Sequence, residues 1–264
     1  MSYSIGQSRR ASRGGGRVGH VLLRVVPPAV VLVVISLLWN WYVESKHSFY
    51  LADAGAIFSA FIDELSDGAV WSALWTSDIS LLVGFAIAVA IGVPVGLVIG
   101  RVKRVDRLLA PYLQIALVTP IAVLMPIVLV ALGLSRTAQI VVVVLFALPF
   151  VVVPTRGGVV TIPRDWLDMA SSYGARELQV WRLVLVPGAL HAIVNGLRLG
   201  FAHALTGEIT VELSLIAIGI GQLIIRYQSH YQAAALFAFV LLISVQSIVA
   251  MGLLSLIQRK VRRS

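Results

Sequence analysis

The sequence predicts an all-α membrane protein of about six transmembrane helices, with short amphipathic helices between them. Three observations carry that expectation. Hydrophobic residues make up 59% of the chain and mean hydropathy is +0.93, more apolar surface than a soluble domain of 264 residues can hide. Only 12% of residues are charged, about half the share in a soluble domain, and lipid solvates apolar side chains that no core could bury. The basic residues gather in short clusters between apolar runs, as in chains whose basic loops set their orientation. The net charge of +9 therefore reads as topology and contact with anionic lipid heads, not as nucleic-acid binding. Cysteine is absent, which excludes disulfides and thiol-ligated metal.

Residues 1–24 are polar, small and basic and read as a disordered or lightly ordered cytoplasmic tail. Val25–Val43 is the first apolar run and is long enough to span. It is too long for the core of a cleaved signal peptide, and the small-x-small site Ala52-Asp53-Ala54 lies too far beyond it. Residues 44–78 carry Glu44, Asp53, Asp63, Glu64, Asp67 and Asp78 against Lys46 alone. Within them Ile57, Phe58, Phe61, Ile62 and Leu65 recur at helical spacing, which predicts a short amphipathic helix on the outer surface.

Ile79–Gly100 is the second span, with Gly84, Gly92, Gly96 and Gly100 on one face, where they allow close helix packing. A basic turn at 101–107 follows. Leu113–Leu134, with Pro120 and Pro126, is the third span and Thr137–Thr155 the fourth, joined so briefly that they form an antiparallel hairpin with its tip outside. Residues 156–188 are the longest polar stretch between spans. Ala189–Glu212 and Tyr231–Ile257 complete the membrane domain at 25–257, and 258–264 is a basic cytoplasmic tail. Leu213–Ile225 is too short to cross upright. With six spans and both termini cytoplasmic, only Lys46, Arg136 and Arg226 of the 21 Lys and Arg fall outside, as the positive-inside rule asks. Leu213–Ile225 is then re-entrant or surface-lying, bent at Gly219-Ile220-Gly221.

The stretch Ile162–Pro187 carries the functional signal. Pro163 can open a helix, Asp165 and Asp168 lie in its first turns, where negative charge is favoured, and Gly174 breaks it. A second helical stretch, Ala175–Val184, ends before Pro187. Two short helices joined at a glycine make a knob that another protein can grip. Here the chain resembles the permeases of type I ATP-binding-cassette importers. Their loop reads Glu-Ala-Ala, three residues, Gly, nine residues, Ile-x-Leu-Pro. This chain has Asp168-Met169-Ala170, three residues, Gly174, nine residues, then Val184-Leu185-Val186-Pro187. The spacings hold, and each departure keeps charge sign or apolar character. Leu82–Leu97 and Gly196-Leu-Arg-Leu-Gly200 are similar to the aliphatic sulfonate, taurine and nitrate branch, and the likeness covers roughly residues 70–258.

The resemblance implies a transport subunit that is not an enzyme. Two copies, or a copy and a paralogue, would line a pathway at their interface in the bacterial inner membrane. Asp168, Met169, Ala170, Ser171, Ser172, Tyr173, Gly174, Ala175 and Arg176, with Pro187, would form the coupling helix that docks on two cytoplasmic ATPase subunits. Those partners would bind ATP and Mg; this chain would bind no cofactor or metal. An extracytoplasmic solute-binding protein would deliver the substrate, and the branch implies a small anion such as a sulfonate or related organic acid. The chain has no Gly-x-x-x-x-Gly-Lys phosphate loop of its own.

Other residues are weighed for the pathway. His203, midway along the fifth span, is an intramembrane ionisable group or a neutral histidine bonded to a neighbouring helix. Glu208 and Glu212 share a face one turn apart, serving the pathway, or solvated at the outer end or paired with Arg226. Thr119, Pro120 and Pro126 either line the pathway or kink the third span. Asn195 and Arg198 lie near the inner end of the fifth span, where Arg198 snorkels to lipid phosphate or helps an anion leave. Trp39, Trp41 and Tyr42 read as an interfacial belt, and Trp166 and Trp181 pack the coupling loop. An ion-coupled secondary transporter would need more ionisable groups deep in the spans. An integral membrane enzyme would need a catalytic cluster at one membrane face.

Overall fold

Every element of the computed structural model is a helix among the residues it describes, 17–46, 51–214 and 218–261. In chain order these are α1 (Arg17–Lys46), α2 (Ala54–Ser66), α3 (Gly68–Arg101), α4 (Lys103–Val118), α5 (Met125–Leu132), α6 (Arg136–Val160), α7 (Arg164–Ser172), α8 (Glu177–Val180), α9 (Val186–Ser214), α10 (Ile220–Ser229) and α11 (Ala233–Val261). A 3₁₀ turn, Ile121–Leu124, precedes α5, and a π turn, Trp181–Leu185, joins α8 to α9. Among the described residues four helices are long and apolar enough to cross a bilayer, and five if α4 and α5 count as one bent span. The first expected span, Val25–Val43, lies in the 30-residue α1, about 45 Å long at 1.5 Å per residue.

The helix starts follow short polar caps. Asp53 accepts from the Ala56 N–H at 2.7 Å, Asp67 from Ala69 N–H at 2.8 Å and Ser135 from Ala138 N–H at 3.2 Å, opening α2, α3 and α6. The cap at Asp67 corrects the second span. α3 begins at Gly68, well before Ile79, because Val70, Ala73 and Leu74 bury against α10 and α11.

The third span is corrected as well, since α4 and the 3₁₀–α5 segment meet at 91°. Pro120 has no N–H to continue the ladder and holds Thr119 extended (φ −65°, ψ 125°). The basic turn at 101–107 is itself largely the start of α4. α1 begins at Arg17, inside the segment read as a tail, and α11 runs to Val261. Residues 1–16 lie outside the described structure.

α6 is the centre of the bundle, packed along α3 on one side and α9 on the other. The small-residue face of α3 makes this possible. A Cβ on Gly96 would stand 2.7 Å from Thr155 Cβ and 2.8 Å from Val152 O, and Gly84 and Gly100 meet Val143 and Val159 in the same way. Val151 fills the notch at Gly92 on α3 and the notch at Gly200 on α9. With little hydrophobic drive between helices in lipid, such close approach is the main source of packing energy. One apolar cluster, including Val70, Leu74, Leu223, Phe239 and Leu242, seals the α10 end of the bundle. Another, including Leu97, Val159, Ile162, Leu185 and Ala189, seals the α7 end. α2, the expected amphipathic helix, lies against α11, and Trp39 donates from Nε1 to Ala52 O at 2.9 Å. Trp41, by contrast, is open to the surroundings.

Candidate functional site

At one end of the bundle α7 stands clear of the spans. Pro163 is its N-cap residue, and the helix ends in a Schellman turn. Gly174 has φ +70°, its N–H donates to Ser171 O at 2.9 Å, and the Ala175 N–H donates to Ala170 O at 3.0 Å. The Ser171 and Ser172 hydroxyls donate back to Asp168 O at 2.7 and 2.9 Å. Asp168, Met169 and Tyr173 face outward, Tyr173 with 87% of its surface exposed. Ala170 and Ala175 turn inward onto the Leu97–Leu185–Ala189 cluster. Trp166, Met169, Tyr173, Leu183, Pro187 and His191 border a concave, mostly apolar recess of about 600 Å³ beside α7. Trp181 packs inward, as expected of a loop-packing residue, whereas Trp166 is half exposed.

The second helical stretch of the loop does not stop before Pro187. α8 runs through the π turn into α9, with the Val186 N–H donating to Trp181 O five residues back. The wider turn leaves room for the Pro187 ring, which would crowd a regular α-helical carbonyl. Glu177–Ser214 is thus one 38-residue helical path. Arg101 Nη2 reaches Glu177 Oε1 at 3.4 Å, and Arg156 pairs bidentately with Asp106, tying α6 to α4.

The opposite end holds a buried polar cluster. Glu212 is fully enclosed and Glu208 is 3% exposed, so neither carboxyl is solvated and neither pairs with Arg226, which is exposed. Glu212 Oε1 accepts from Ser77 Oγ at 2.6 Å and from Gln139 Nε2; its Oε2 accepts from the Gly221 N–H at 3.1 Å. Gln139 Nε2 also donates to Glu208 Oε1 at 2.7 Å, and Ser80 Oγ donates to Gln139 Oε1 at 3.0 Å. One carboxylate therefore joins α3, α6, α9 and α10. Ser77, Ser80 and Gln139 were invisible to sequence reasoning as members of this set. A lone amide in the apolar run of α6 was the only available signal.

The weaker pathway candidates are not brought together. Thr119 and Pro120 border a groove of about 640 Å³ at the α4–α5 bend. His203 stacks on the Phe150 ring of α6 at 3.3 Å between centroids. Asn195 and Arg198 are exposed on α9.

Comparison with known proteins follows the same lines. Residues 92–263 match the family described as binding-protein-dependent transport system inner membrane component. The chain is 31% identical over 230 residues to the riboflavin transport system permease protein RibX of Chloroflexus aurantiacus, covering 85% of this chain and 86% of that one. It is 29% identical over 225 residues to the putative aliphatic sulfonates transport permease protein SsuC of Escherichia coli, covering 84% of each. Its fold is similar to a chain of the MetNI methionine ABC transporter in an inward-facing conformation, with TM-score 0.58 and 23% identity, covering 73% of this chain and 94% of that one. The chain belongs to the binding-protein-dependent transport system inner membrane component family and is the multi-pass permease subunit of a type I ATP-binding-cassette importer, a transport subunit and not an enzyme.

Proposed function

We propose that α7 and the Gly174 turn couple this permease to a cytoplasmic ATPase, and that two permease subunits line the pathway between them. The observation that carries the reading is the unbroken path from α8 through the π turn into α9. Ala170 and Ala175 share one apolar cluster with Leu185 and Ala189. A push on the exposed Met169–Tyr173 surface therefore moves α9 as a lever, and a packed interior transmits such a shift without absorbing it. Asp168, Met169, Ser172 and Tyr173 present the docking face; Gly174 and Pro187 shape it. ATP and Mg belong to the two ATPase partners, and a solute-binding protein delivers the substrate on the far side. Both termini lie in the cytoplasm of a bacterial inner membrane, a placement supported by the basic clusters at 101–107 and 156–182.

Thr119 and Pro120, at the α4–α5 bend, are the pathway residues best supported by an open groove. The likeness to SsuC supports a small anion, an organosulfonate or related organic acid, as substrate. The likeness to RibX favours a second reading, a planar heterocycle.

The test is co-purification with the cognate ATPase, followed by binding-protein-stimulated ATP hydrolysis and uptake of each substrate class in liposomes. Substituting Met169 by Glu or Tyr173 by Ala is expected to abolish association while leaving the bundle folded. Association and stimulation unchanged by substitutions at Asp168, Met169, Tyr173 and Gly174 would overturn the coupling assignment.

A further inference from the structure

Two carboxyl groups one helical turn apart, buried at the α10 end of the bundle, need a charge balance that no cation among the described residues supplies. Their surroundings differ. Glu212 accepts three hydrogen bonds, from Ser77 Oγ, Gln139 Nε2 and the Gly221 N–H. The last comes from the first turn of α10, a ten-residue helix, whose N-terminus carries partial positive charge and unpaired N–H groups. Ser77 is itself fixed by accepting from the Ile220 N–H at 3.1 Å. That environment is built for an anion. Glu208 receives one bond, from Gln139 Nε2 to its Oε1, while its buried Oε2 receives none, and its carboxyl lies within hydrogen-bond reach of Glu212. An ionised oxygen left so would be among the costliest groups a membrane protein can hold.

We propose that Glu208 is a proton-binding site: it holds one proton, donated toward Glu212, while Glu212 stays ionised against the α10 N-terminus. The ligand is the proton, and the pair carries one negative charge. Its neighbours fit the assignment. Asp78 of α3 is the other carboxyl whose field reaches Glu208. α6 offers the Gln139 amide and α10 its N–H groups, while the Gln246 amide of α11 is spent on Asp78, donating to both oxygens at 2.7 and 2.8 Å. None of these is a cation. Any rearrangement that wets Glu208 releases the proton, so the site is also sensitive to movement of α10 away from α9.

The test is infrared difference spectroscopy of the assembled importer in lipid nanodiscs, with every sample carrying Glu64→Gln so that the other buried carboxyl adds no band, comparing the wild-type site with Glu208→Gln, Glu212→Gln and Asp78→Asn. A carboxylic-acid carbonyl band, shifted in deuterium oxide, is expected in wild type above the pH where exposed glutamates ionise, about 4.3. It should be lost in Glu208→Gln and retained in the other two. Gln is close in shape to a protonated Glu, so Glu208→Gln is expected to assemble; should it not, the pH titration of the wild-type band still decides. Absence of the band in wild type, or its loss only in Glu212→Gln or Asp78→Asn, overturns the proposal. A band that disappears when sodium is added would instead make the ligand a metal cation and overturn it too. No arm depends on substrate uptake, so the result stands apart from the coupling assignment.

Discussion

Tyr227 of α10 donates from its hydroxyl to Glu64 Oε2 of α2 at 2.8 Å, across 163 residues of sequence. The bond is buried and fastens the short surface helix to the helix that closes the α10 end of the bundle. Burial pushes the Glu64 carboxyl above its usual range, with the Tyr227 bond pulling it partly back. Burial, then the neighbouring carboxylate, pushes the Tyr227 phenol up, so it remains a neutral donor. The fold therefore favours neutral Glu64. Its contribution to stability is present below the ordinary value of 4.5 and is lost as pH rises through the elevated one. Thermal unfolding in detergent should show stability falling across that window, and Glu64→Gln should flatten the slope. Tyr227→Phe, which strands a buried acceptor, should cost about 1–3 kcal/mol.

The glycine face of α3 yields a paired prediction. Gly96→Val forces a side chain against Thr155 and the Val152 carbonyl, backbone that cannot swing aside, and should destabilise the bundle by about 1–3 kcal/mol. Gly157→Ala, on the neighbouring helix, meets nothing within 4 Å and should be neutral or stabilising by up to about 1 kcal/mol. Unfolding temperatures of the two purified variants check the contrast.

Gly174 sits at φ +70° with open space around it, so a substitution there tests backbone conformation and not crowding. Gly174→Val should cost about 1–2 kcal/mol, the penalty of left-handed backbone for an L-residue, and tilt α7. Gly174→Asn should be tolerated. Binding-protein-stimulated ATP hydrolysis is expected to fall with Val and survive with Asn.

Glu212→Ala removes the acceptor for Ser77, Gln139 and the Gly221 N–H at once. Each stranded buried donor costs about 1–3 kcal/mol, so α10 should loosen first. Hydrogen exchange over 220–227 should accelerate well before the α3–α6 contact does.

Much of this was legible in the chain itself. Gly84, Gly92, Gly96 and Gly100 announce a packing face because helical periodicity is local, and the break at Gly174 and the register to Pro187 are local too. The bend at Thr119-Pro120 was half legible: proline marks a break, but its angle depends on what each half packs against. The enclosure of Glu208 and Glu212 was not legible, and the sequence left a pathway role, solvation and pairing with Arg226 all open. Their partners Ser77 and Gln139 lie 135 and 73 residues from Glu212, and no local pattern announces a contact at that range.

Composition, the apolar runs, the basic clusters and the Asp168–Pro187 spacing were enough to make this a multi-pass importer permease, because lipid imposes its rules on each segment separately. Tertiary structure alone decided that α8 and α9 form one continuous helical path, that α10 is held by a buried carboxylate, and that α6 is clasped between two small-residue faces. Those outcomes depend on which distant surfaces meet, and contact between distant surfaces is a property of the packed bundle, not of any segment in it.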